Sequence, residues 1–186
     1  MKYEYKIIRS DRKTLAIQIT PEGLVVRAPR QMSAAEIEKF VNAHADWIEK
    51  HLPKAERTRE AGRANRLTVQ ELNALAEQAL RYIPARAAYY APKMGVTYGR
   101  ITIRNQHTRW GSCSSKGNLN FNCLLMLAPK EVIDSVVVHE LAHRKEMNHS
   151  PRFYAVVRSV FPEYDRWHGW LKAHGAELLA RLPDGD

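Results

Sequence analysis

Cysteine is scarce: 2 residues in 186, Cys113 and Cys123. So few exclude a disulfide framework or a Cys-rich zinc ribbon, and both read as packed thiols. Long apolar runs are missing as well. None approaches the roughly 20 residues that a membrane-spanning helix needs. Met1-Lys2-Tyr3-Glu4 opens without the apolar core of a signal peptide, so the expectation is a cytoplasmic protein with no membrane partner. There is no Walker-type phosphate loop, zinc finger, RNA-binding signature, internal repeat or low-complexity tract. Acidic residues are few, 20 against 29 Lys and Arg, which leaves a net charge of +9. A basic surface favours nucleic acid, nucleotides or acidic peptides, or else it is a solvated arginine-rich face. Composition leaves both open and does not speak to oligomeric state.

What is present fits a folded chain with a sizeable core: 45% hydrophobic and 26% charged residues. Tyr3/Tyr5/Ile7, Leu15/Ile17/Ile19 and Leu24/Val26/Ala28 each alternate with period two. Turns at Ser10-Asp11-Arg12 and Thr20-Pro21-Glu22-Gly23 join them, and an antiparallel three-stranded meander is expected. Ser33-Ala34-Ala35-Glu36 is a capping box. It opens a helical stretch through Ile37, Phe40, Val41 and Ile48, one helix or two, that Pro53 should stop. Residues 53–66 carry almost no large apolar group and read as a connector. Thr68-Val69-Gln70-Glu71 is a second capping box, followed by helical spacing that Pro84 should kink or split and that Pro92 and Gly95 end.

Ile101–Arg104 reads as a strand. Asn118-Leu119-Asn120-Phe121-Asn122-Cys123 reads as another, with Leu119, Phe121 and Cys123 on one face. Asn118, Asn120 and Asn122 share the other face, a row of amides suited to an extended substrate or to solvent. Phe153, Val156, Val157 and Val160 make an amphipathic helix. Trp167, Trp170 and Leu171 make another, which Gly175 should stop, and the polar end through Pro183-Asp184-Gly185-Asp186 should fray.

The informative stretch is residues 136–149. Pro129 to His143 reads as a helix apolar nearly all round, the signature of a buried helix. His139, Glu140 and His143 interrupt it, and an interior rarely hosts three ionisable groups without partners. His139 and His143 lie about 40° apart around the axis and about 6 Å along it, so both imidazoles reach one ion with Glu140 on their flank. This is H-E-x-x-H, two zinc ligands plus a carboxylate placed to take a proton from water. Catalytic zinc usually has three protein ligands. His149 is the third candidate, but on a straight helix it would lie about 9 Å further up and about 240° round. The chain must therefore turn. Asn148 tolerates the left-handed conformation of a helix end, and Ser150-Pro151 looks like the N-cap and first position of a new helix.

The spacing to His149 matches the metzincin pattern H-E-x-x-H-x-x-G-x-x-H. However, Glu146 replaces its glycine and no later methionine supplies a Met-turn. Arg109-Trp110-Gly111-Ser112-Cys113, His139-Glu140-Leu141-Ala142-His143 and Asn148-His149-Ser150-Pro151-Arg152-Phe153 together resemble the YgjP-like metallopeptidase family, relatives of the SprT and WLM zincins. Arg9-Ser10-Asp11-Arg12-Lys13-Thr14-Leu15, Arg27-Ala28-Pro29 and Trp47-Ile48 extend the resemblance over nearly the whole chain. It implies an α+β fold, with a minimal zincin-like catalytic core behind the N-terminal antiparallel β-meander and helices. Residues 1–66 would form the meander, helical arm and connector, and residues 67–186 the metal-binding catalytic domain. It further implies Zn2+ held by His139, His143 and His149, with Glu140 as catalytic carboxylate.

The expected activity is zinc-dependent hydrolysis of a peptide or protein. The developing oxyanion needs a donor. Arg109, Tyr154, Tyr164 and His168 are candidates, with Arg109 favoured because it accompanies the family motif. Two alternatives rest on the basic charge. One is a metal-dependent nucleotide phosphohydrolase or pyrophosphatase. The other is a DNA-associated, SprT-like binding protein in which zinc only holds the fold.

Overall fold

The computed structural model describes residues 2–20 and 23–183. It is an α+β structure whose contacts divide into two units, Met1–Ala64 and Asn65–Asp186, each with its own hydrophobic cluster. No described helix is long and apolar enough to cross a membrane.

The first unit contains strands β1 (Lys6–Ser10), β2 (Ala16–Thr20) and β3 (Gly23–Pro29). β2 and β3 form the expected antiparallel pair, from Thr20↔Gly23 to Ala16↔Arg27. Pro21 and Glu22, at the centre of their turn, lie outside the described residues. The meander itself is not formed. β1 pairs with β3, and in parallel, so the order is β1-β3-β2. The physical reason lies in β3, where Leu24, Val25, Val26 and Ala28 are all buried. Such a nearly continuous apolar strand belongs at the centre of a sheet. Period-two alternation fixes faces but not neighbours. Residues 11–15 are long enough to span the roughly 10 Å between two strands that flank a third.

Ser33 caps α1 (Ala34–Ala43), with both halves of the box made: Glu36 N–H to the Ser33 hydroxyl, and Ser33 N–H to the Glu36 carboxylate at 2.9 Å. Ile37, Val41 and Ile48 pack with Leu24, Val26 and Ala28. The helical stretch is two helices, since α2 (Ala45–Ala64) follows directly. Pro53 does not stop α2, and most of residues 53–66 are helix rather than connector. These residues lack an apolar stripe but are rich in Ala, Glu and Arg, strong intrinsic helix formers.

In the second unit Thr68 caps α3 (Val69–Met94) with the other complete box. α3 runs unbroken through Pro84, which costs it a hydrogen bond. Its stripe of Leu72, Leu75, Ala79, Ile83, Ala87, Tyr90 and Met94 is buried in the core. That burial, at roughly 1.5–3 kcal/mol per large side chain, outweighs the loss. Gly95 ends the helix at φ 62°, in the left-handed region. β4 (Ile101–Arg104), β5 (Gly111–Cys113) and β6 (Leu119–Asn122) form a second sheet of order β4-β6-β5, with β4 parallel and β5 antiparallel to β6. A short 3-10 helix (Cys123–Leu127) leads into α4 (Lys130–Ala142).

α4 is buried as its composition demands: Val132, Ile133, Val136, Val137, Val138, Leu141 and Ala142 all belong to the core. It packs against α3, β5, α5 (Pro151–Val160) and α6 (Tyr164–Leu179). Asp134 ties it to α3 through two 2.6 Å bonds from Arg86, with the Tyr90 hydroxyl at 3.1 Å. Gly175 does not stop α6. A Cβ there would lie 3.1 Å from Nε1 of Trp110, so the glycine admits the indole instead. Residues 184–186, expected to fray, lie outside the described residues.

Candidate metal centre

His139 sits on the last turn of α4 and His143 is its C-cap residue. After His143 the chain turns sharply. Arg144 N–H bonds Leu141 O, Lys145 and Glu146 N–H both bond Ala142 O, and Ser150 N–H bonds Asn148 O. Asn148 is not left-handed, because no described non-glycine residue has positive φ. Tightened backbone bonds make the turn instead. Ser150 then caps α5, its hydroxyl accepting from Phe153 N–H at 3.3 Å with Pro151 in the first turn. The turn brings His149 back to the first pair.

The three rings form a near-equilateral triangle, with centroids 5.1 Å (His139–His143), 4.9 Å (His139–His149) and 4.9 Å (His143–His149) apart. Their donor atoms all lie within 4.8 Å of one another, so this set could hold a metal ion. No fourth His, Cys, Asp or Glu joins it among the described residues. Phe153, fully buried, lies 4.7–4.8 Å from all three centroids and is the apolar floor of the cluster.

Hydrogen bonds turn the rings so that they fit a cation. His143 Nδ1 faces the Glu146 carbonyl at 3.1 Å. A carbonyl only accepts, so that nitrogen carries the proton and Nε2 keeps its lone pair. His139 Nδ1 meets the Tyr164 hydroxyl at 2.8 Å. The Nε2 atoms of His139 and His149 lie 2.9 Å apart. Burial first, then the neighbouring His143, His149 and His168, push His139 down to about 3, so its ring is neutral at ordinary pH. Orienting partners on the second ring nitrogen are the usual companions of metal-binding imidazoles.

Glu140 is 5% exposed, and its carboxylate makes no hydrogen bond to the described residues. Burial pushes it up to about 8, and the positive charge of Arg109 pulls the other way. Arg109 itself is exposed. Its loop is held by the fully buried Asn122, whose amide donates to the carbonyls of Gln106 (2.7 Å) and Arg109 (3.0 Å) and accepts from Leu124 N–H. Asn120 is likewise engaged with Ser112 and Arg104, and Asn118 with Arg100. The asparagine row is thus spent on the fold rather than offered to a substrate.

Of the other donor candidates, Tyr164 is committed to His139. His168 stacks on Tyr164 at 5.0 Å and lies parallel to His139 at 6.2 Å. Tyr154 stands 6.3 Å from His149. Sequence reasoning read Phe153 only as core and gave Gly111 no role. Gly111 opens β5, and a strand glycine is the kind of signal that marks a close approach.

Residues 13–72 and 63–174 match the family model described as YgjP-like, metallopeptidase domain. The chain belongs to the YgjP-like metallopeptidase family. It is by family a hydrolase of the metallopeptidase kind, and the family implies a divalent metal that the three imidazoles could hold. Comparison with curated proteins finds no match. Among solved structures it is similar to the crystal structure of the metallopeptidase zymogen of Methanocaldococcus jannaschii jannalysin. That match has 20% identity over 50% of this chain and 96% of the other, with a TM-score of 0.45. The metallopeptidase zymogen of Pyrococcus abyssi abylysin is similar at 21% identity over 49% and 92% of the two chains, also at TM-score 0.45.

Proposed function

We propose that this YgjP-like protein is a zinc-dependent peptidase in which His139, His143 and His149 hold the metal and Glu140 is the general base. The observation that carries the reading is the convergence of three imidazoles, without a fourth donor among the described residues, beside a buried carboxylate. When bound there, zinc supplies Lewis acidity and lowers the pKa of a coordinated water to about 7.

The rest is work for the chain's own groups. The Glu140 carboxylate accepts the proton of the attacking water and delivers it to the leaving amine. Its pKa, raised by burial, suits both halves of that transfer. Arg109 favours the ionised form of Glu140 against the larger effect of burial, and supplies positive charge for the developing oxyanion. Buried apolar side chains around α4 exclude competing water from one side of the carboxylate.

A peptide substrate is favoured by β5. Residues 110, 112 and 114 sit opposite β6 as hydrogen-bonded pairs, shown by Asn122 N–H to Trp110 O and Ser114 N–H to Asn118 O. The N–H and C=O groups of Gly111 and Cys113 therefore point to the free edge. An extended peptide can add to that edge as a strand. The nucleotide and DNA readings draw only on net charge. Phosphoryl chemistry often uses a metal pair, and among the described residues a single such donor cluster converges.

The test is metal analysis with a peptide and nucleoside-triphosphate screen on wild type and Glu140→Gln. Bound zinc in both proteins, with peptide turnover only in wild type, is the expected result. Full turnover by Glu140→Gln, or release of phosphate or pyrophosphate without peptide cleavage, would overturn the reading.

A further inference from the structure

Gly111 is the first residue of β5, where that strand faces Glu140. Its backbone does not require glycine, because the described glycines with positive φ are Gly23, Gly95 and Gly117. Glycine inside a strand weakens it and brings no side chain to pack, so it marks a place where something comes close. Here that something is the acid. A Cβ built on Gly111 would stand 2.5 Å from Oε1, 2.8 Å from Cγ and 2.9 Å from Cδ of Glu140, well inside van der Waals contact.

Most glutamates would swing aside at little cost. Glu140 cannot, being 5% exposed on a helix whose neighbours Val136, Val137, Val138, Leu141 and Ala142 are buried. The loop before Gly111 is also fixed, since Asn122 bonds the carbonyls of Gln106 and Arg109 through its amide and the carbonyl of Trp110 through its backbone N–H. Strand and helix therefore confront each other with one side chain's width between them, and the carboxylate fills it.

We infer that Gly111 is a positioning residue: the side chain missing there makes the slot between β5 and α4 that seats the Glu140 carboxylate. The inference rests on the reading of Glu140 as the base, and it explains how a carboxylate without hydrogen bonds is held in one place. The slot substitutes shape for hydrogen bonding. A carboxylate so held keeps its oxygens free for the proton it must take.

The first test uses the metal-free protein and needs no turnover. Urea midpoints are compared for wild type, Gly111→Ala, Glu140→Ala and the double variant. At an unstrained position Gly→Ala stabilises by restricting the unfolded chain. Gly111→Ala should therefore lower the midpoint when Glu140 is present, and leave it unchanged or raise it when residue 140 is alanine. If Gly111→Ala does not fold at all, folding of the double variant supports the slot, and its failure overturns it.

The second test uses the zinc-loaded enzyme. Gly111→Ala should keep wild-type zinc content and a KM within about threefold. Its kcat should fall about a hundredfold, the size of effect that a misplacement of about 1 Å produces. Equal midpoint shifts in the two backgrounds, or an undiminished kcat in a variant that shows the coupling, overturns the inference. A wild type inactive on peptides sinks the functional reading instead, and the metal-free cycle then decides the slot alone.

Discussion

Tyr164, the first residue of α6, and His139, on the last turn of α4, are joined side chain to side chain, hydroxyl to Nδ1 at 2.8 Å. Burial pushes the tyrosine above its ordinary 10, so it stays neutral. Outer partners of metal-binding imidazoles typically contribute 10–100-fold to affinity. Tyr164→Phe should therefore weaken zinc binding by about that factor in competition with a chromophoric chelator, while the far-ultraviolet circular dichroism stays unchanged. An unchanged affinity would mean that the hydroxyl does not orient the ring.

Phe153 touches all three rings from below. Truncating a buried phenylalanine costs about 3–5 kcal/mol. Phe153→Leu keeps most of the volume and removes the flat surface. This variant should remain folded by calorimetry yet release zinc faster than wild type, measured as transfer to excess chelator.

Glu140 gives the metal-free protein a pH dependence of definite sign. Its carboxyl is raised from 4.5 to about 8, so the native state holds the proton more tightly than the unfolded chain does. The contribution to stability is complete below about pH 4.5 and is lost as pH rises towards 8. The slope is at most about 1.4 kcal/mol per pH unit, several kcal/mol in all. The stability of metal-free Glu140→Gln should pull progressively ahead of metal-free wild type across that window and run parallel to it above. Curves that stay parallel from pH 4 to 9 would contradict the buried, unpaired carboxylate.

Asp134 is the acid that fastens α4 to α3, accepting from both Arg86 and Tyr90. Removing one partner of a buried pair leaves the other's charge uncompensated, at a cost of about 3 kcal/mol. Asp134→Asn should show that loss in urea unfolding. A loss under about 1 kcal/mol would show that solvent reaches Arg86 and compensates it.

His139, Glu140, His143 and His149 were legible because their geometry is local. Four-residue spacing aligns the first pair, and Ser150-Pro151 announces the new helix that brings back the third. The bond from Tyr164 to His139 and the parts played by Phe153 and Gly111 emerged only in three dimensions, because no periodic pattern says that α6, α5 and β5 close around the end of α4. Strand order was hidden for a related reason, since alternation assigns faces but not partners. The helix through Pro53 was missed because its support is intrinsic propensity rather than an apolar stripe. Gly175 misled because glycine can end a helix or merely make room, and the decision belonged to Trp110.

A disc of hydrocarbon beneath three nitrogens has a consequence for loss and recovery of any ion they hold. Phe153 is fully buried and in ring contact with His139, His143 and His149, so it backs all three rings with or without a cation. An ion returning from solution then meets donors already gathered and spends little of its affinity on assembling them. Emptying and refilling should accordingly be reversible, with the scaffold keeping its shape through both.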